Sequence, residues 1–142
     1  MKRVTILSAF FIIIIGCSTP QHTWPESSRD VVWTAMIAAV TSPDYDDEDV
    51  RKRWVVVENL VDADASKGNI LVRRKLSRSY TLPLQAPQTD ERDWLFSIQL
   101  QDEQVPTVTF ESVHQTWVWS RVQDEAERYF DVVDLLLKTP KD

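Results

Sequence analysis

The chain has 142 residues, 27% charged and 43% hydrophobic, with a formal net charge of −6. That length holds one domain with a core that needs no disulfide or metal, and a single cysteine cannot close an internal bridge. Two glycines leave no glycine-rich phosphate loop and argue against a turn-dense all-β fold, while the acidic balance repels nucleic acid and gives no general attraction to anionic lipid.

Lys2 and Arg3 make a short positive start, and residues 4–15 form an apolar run softened by Thr5 and Ser8. A helix crossing a bilayer needs roughly 20 apolar residues, so this run has the dimensions of a signal-peptide core instead. The sequence Ile14-Ile15-Gly16-Cys17 follows. It resembles the lipobox of bacterial lipoproteins, with Ile14 where leucine is commoner. The resemblance implies that the Cys17 thiol receives a diacylglycerol, that the chain is cut before it, and that the new amine is acylated. Residues 1–16 are then a signal peptide, 17–25 a lipidated N-terminus and tether, and 26–142 a single α+β domain. Ser18 after the cysteine implies outer-membrane sorting by the enterobacterial rule, with the domain facing the periplasm. The competing reading is an ordinary secretory peptide, or a buried apolar helix with an incidental cysteine.

STPQHTWP, residues 18–25, has two prolines and no period, and reads as the tether. The first helix follows, with Ser27 and Asp30 as a capping-box-like start and Thr41-Ser42-Pro43 as its stop. Val32, Met36, Ala39 and Val40 share one face, with Trp33 and Ile37 beside them. DYDDED is an acidic solvated loop. RWVVVENLV and NILVRRKLSRSY are rich in β-branched residues and form a hairpin turning at Gly68-Asn69. The first of these strands is apolar on both parities at 54–57, and is either covered on both faces or bulged near Glu58 and Asn59. LPLQAPQTDER is a proline-bearing loop. DWLFSIQLQ alternates, with Trp94, Phe96, Ile98 and Leu100 on one face, and PTVTFESV puts Val108 and Phe110 together. The last stretch is a helix whose stripe is Trp119, Val122, Ala126, Tyr129, Phe130, Val133, Leu136 and Leu137, with Arg121, Asp124, Glu125, Glu127 and Arg128 on the wet side. The expected fold is α+β: a two-layer sandwich of helix, four antiparallel strands and helix, with both helices on one face of the sheet.

Chemistry is harder to find. His22 and His114 are far apart, and Cys17 is consumed by lipid, so no metal-ligand spacing and no metal or other cofactor is expected. DYDDED fails as an EF-hand, with Asp49 where glycine is needed and Val55 where the bidentate glutamate belongs. Ser112 and His114 lack the third group and the elbow of a nucleophilic site. No catalytic residue is assigned. Arg73, Arg74, Lys75 and Arg78 make a local basic stripe in an acidic chain. Its simplest role is to guard a strand edge, and its sharper one is a docking strip in which Arg73 and Lys75 contact an acidic partner or lipid phosphates. Arg74 falls on the core parity and so conflicts with that stripe. Trp117, just before the last helix, is a candidate protein-contact anchor.

The expected function is therefore a non-catalytic, lipid-anchored accessory protein of the bacterial envelope, presenting its domain to an envelope protein or component. The element order and the anchor are loosely similar to small lipoproteins of outer-membrane assembly, a likeness of order and not of motif. The alternatives are a cell-wall or lipid-modifying enzyme working through unrecognised carboxylates, and a lipid or lipopolysaccharide carrier. The membrane, through the N-terminal lipid, is the expected partner and nucleic acid is not; sequence leaves the oligomeric state open.

Overall fold

A computed structural model describes residues 19–49, 51–101, 104–113 and 119–138. In chain order the elements are β1 (Gln21–Thr23), α1 (Arg29–Thr41), β2 (Val55–Asp64), β3 (Asn69–Tyr80), β4 (Gln88–Gln101), β5 (Thr107–Ser112) and α2 (Trp119–Lys138). The strands make an open antiparallel sheet of five, ordered β1-β5-β4-β3-β2. The protein is α+β.

The fifth strand corrects the four-strand expectation, and it comes from the segment read as a tether. His22 sits opposite Val108, and the backbone is tied at both ends: Phe110 N–H donates to the Pro20 carbonyl at 2.9 Å, and Trp24 N–H donates to the Pro106 carbonyl at 3.0 Å. Trp24 is buried in the core, with its indole N–H donating to Asp134 on α2. A three-residue strand has no period to read, so only the free edge of β5 reveals it.

α1 buries Val32, Ala35, Met36, Ala39 and Val40, the i, i+3, i+4, i+7, i+8 stripe of a helix with one apolar face. On β3 and β4 alternate residues are buried: Ile70, Val72, Arg74 and Leu76 pair in register with Ile98, Phe96, Trp94 and Arg92. The apolar side chains among these join Val108, Phe110 and the α1 and α2 stripes in a single core cluster, where Phe96 and Phe110 stack at 4.8 Å. The β2 register slips between Val56 and Glu58. The bulge turns Val55 and Val57 outward, where both are more than half exposed, and so settles the double-parity run.

Three further expectations change. Residues 88–92 belong to β4 and not to a loop, because Gln88 pairs with Tyr80 and Asp90 with Arg78, whose guanidinium meets the Asp90 carboxylate at 2.6 Å. β3 lies between β2 and β4, so its basic residues guard no edge. Glu125, assigned to the wet side of α2, is 6% exposed, while Leu136, assigned to the stripe, is 41% exposed.

The β2–β3 turn fits its residues. Gly68 has φ +65, and a Cβ there would meet the Leu100 carbonyl oxygen at 2.5 Å, so glycine is required on two grounds. Its carbonyl accepts from Leu100 N–H at 2.7 Å, fixing the hairpin to the end of β4.

Candidate functional site

The polar centre of the molecule is Arg74, 4% exposed on the inward parity of β3. Its guanidinium is held from several directions. Nε donates to Asn59 Oδ1 of β2 at 2.9 Å, Nη2 to the Val40 carbonyl of α1 at 3.0 Å, and Nη1 to the Tyr45 hydroxyl at 2.8 Å. Nη1 also lies 3.4 Å from Glu125 Oε1 on α2, and the Tyr45 hydroxyl donates to that same carboxylate. The Val40 carbonyl is one of the last of α1, left without a partner inside its helix, and Asn59 Nδ2 donates to it as well at 2.9 Å. A cation at a helix C-terminus also faces the negative end of the helix dipole. The group ties both helices, β2, β3 and the acidic loop to one point.

Burial dominates the electrostatics here. It raises the Glu125 pKa from its ordinary value, against the lowering effects of the Tyr45 hydrogen bond and of Arg74, Arg128 and Arg92. Burial, with Glu125 adding to it, also pushes the Tyr45 phenol well above its usual value.

Beside this cluster a cleft of about 200 Å³ opens between the start of α2 and the end of the sheet's inward face. Its lining carries four cations, Lys52, Arg92, Arg121 and Arg128, with Asp47, Asp124 and Glu125 among them and Trp54 as part of its wall. The Arg92 guanidinium lies 4.2 Å from the centre of the Trp54 ring, and Arg78 lies 4.6 Å from the same ring. Burial, together with the like charges of Arg121 and Arg78, lowers the Arg92 pKa. Chemically the cleft can hold a small anion against planar, weakly hydrated guanidinium groups. Among the described residues no group of three or more His, Cys, Asp or Glu converges as a metal site requires, and no helix is long and apolar enough to cross a membrane.

The candidates read from sequence fall elsewhere. Arg73 is exposed on the outward parity of β3, beside Leu60 and Leu95 in register. Lys75 shares that parity but meets Glu91 at 3.1 Å. The two thus share the outward face of β3. Cys17, Trp117 and His114 lie outside the described residues, as does the Trp119 side chain. His22 of β1 lies tilted against Trp24 and Phe130, with ring centres 4.6 and 5.3 Å away. The buried ion pair was signalled in the sequence only by Arg74 on the wrong parity for a surface cation. The cleft had no sequence signal, since Lys52, Arg92 and Arg121 come from three distant segments.

The chain matches no protein-family model, no curated protein and no solved structure.

Proposed function

We propose that this is a lipid-anchored accessory protein of the bacterial envelope whose domain binds an envelope component without catalysis. The observation that carries the reading is the N-terminal sequence: a positive start, an apolar run of signal-peptide length, then Gly16 and the lone Cys17. The thiol would carry the diacylglycerol, and Ser18 favours the outer membrane with the domain on the periplasmic side. Acyl chains at roughly 0.8 kcal/mol per buried methylene hold such a protein firmly. The shared core of sheet and helices supports the finer fold reading, a two-layer sandwich with both helices on one face.

The buried pair favours a binding role. Its guanidinium and carboxylate are engaged with each other, with Tyr45 and with backbone, which leaves neither poised to attack a substrate. Metabolic labelling with a fatty-acid analogue tests the anchor. The native chain should label and fractionate with membranes, and Cys17→Ser should do neither; labelling that survives the substitution would overturn it.

A further inference from the structure

We propose that the β3–β4 hairpin tip, residues 81–87, and the basic cleft behind it form a second membrane contact: Leu84 enters the head-group layer while Arg92 and Arg121 take lipid phosphates. The orientation rests on the lipid-anchor reading above, but the chemistry of the contact does not.

Three observations converge on this end of the molecule. The tip sequence TLPLQAP carries no charge, and Leu84 at its apex is wholly exposed with φ 64. A left-handed leucine gives up roughly 1–2 kcal/mol of backbone preference, and here it gains no packing in return. An outlier of that kind points to a task outside the fold.

The second observation is reach. The pairing of β4 with β5 ends at Phe96 opposite Ser112, so β4 from Gln88 to that point, with β3 beside it, runs about 26 Å past β5, and β2 accompanies β3 only as far as Val55 opposite Ser77. Followed backward from Thr23 to Gln21, β1 runs toward this same end. Only two residues' length separates Cys17 from Thr19, about 7 Å of chain. With Cys17 held at the bilayer, an upright sheet would drive the overhang deep into hydrocarbon. The domain must instead lie inclined, which brings the hairpin to the surface.

The third is charge. The protein as a whole is acidic, yet the cleft's lining sets Lys52, Arg92, Arg121 and Arg128 against Asp47, Asp124 and Glu125, the last already engaged with Tyr45 and Arg74. Arg78 is committed to Asp90. The Arg92 guanidinium sits over the Trp54 ring at 4.2 Å from its centre, and its N–H groups supply the donors for phosphate oxygens.

The test uses the full lipoprotein, reconstituted through its own N-terminus into phosphatidylcholine vesicles with or without phosphatidylglycerol. An environment-sensitive fluorophore is placed at Gln85→Cys, and in a separate preparation at Lys67→Cys in the opposite hairpin. The label at 85 should shift to the blue and be quenched by acyl-chain spin labels, while the label at 67 stays aqueous. Leu84→Gly should abolish the shift at 85 while leaving stability unchanged or higher, because it removes the side chain and the strain together. Arg92→Gln and Arg121→Gln should each reduce the preference for phosphatidylglycerol by roughly fivefold. A label at 85 as wet as the one at 67, on protein whose Cys17 carries the diacylglycerol mass, overturns the contact and spares the anchor. Equal insertion with and without phosphatidylglycerol overturns the phosphate contact. Should Cys17 lack that mass, the anchor reading falls, and the response at 85 to added vesicles decides the tip alone.

Discussion

Arg74 and Glu125 show how a single buried charge organises its neighbours. Taking two ions out of water costs several kcal/mol each, and their attraction offsets this only when every remaining donor and acceptor is satisfied. Asn59, Tyr45 and the Val40 carbonyl supply partners for the Arg74 donors. Arg74→Ala leaves the Glu125 carboxylate buried without its cation and should cost about 3–5 kcal/mol in urea denaturation. The paired change Arg74→Met with Glu125→Met should be about 1–3 kcal/mol more stable than the sum of the two single changes. Simple additivity would mean the two side chains act independently. Glu125 also sets a pH dependence. Its folded pKa is raised above the ordinary value of 4.5, so at pH between the two values the folded state binds more protons than the unfolded state. Its contribution is therefore full below about pH 4.5 and is lost as pH rises through the folded pKa. The stability difference between the native chain and Glu125→Gln, followed by denaturation from pH 4 upward, should change in favour of the glutamine variant as pH rises. A difference flat with pH would contradict the burial argument.

Among the elements, the β2–β3 hairpin was the most legible and has the sharpest test. β-branched runs flank a turn ending at the only glycine in the described residues, and pairing follows directly from Asp64 opposite Asn69. Gly68→Ala places a methyl against the Leu100 carbonyl and forces a left-handed alanine, so it should destabilise by more than about 1 kcal/mol in the same assay. A neutral result would mean that the turn relaxes freely. α1 was legible because its stripe repeats at helical spacing over the whole element, and α2 for the same reason as far as Val133. Glu125 was misread because periodicity assigns a face by hydrophobicity, and a buried ion pair breaks that code. The start of β4 was missed for a related reason. Gln88 to Arg92 alternates no apolar residues, since this part of the sheet extends past the core and is held by backbone pairing and the Arg78–Asp90 contact.

At the scale of the molecule, β1 changes where the domain begins. A tether through Pro25 would let the domain stand away from its anchor, whereas β1 draws the chain into the sheet at Gln21 and buries Trp24 against His22 and Phe130. Trp24→Ala should therefore cost about 3–5 kcal/mol of stability, measured by thermal or urea unfolding. A tether residue would cost nothing. The sequence by itself determined the secondary elements with strong periods and the α+β class. All of these are local properties, written within one window of chain. Tertiary structure decided the fifth strand, the partners of Arg74, the gathering of Lys52, Arg92 and Arg121 in one cleft, and the reach of the hairpin past β5. Each of those depends on which distant segments become neighbours, and no window of sequence contains both sides of such a contact.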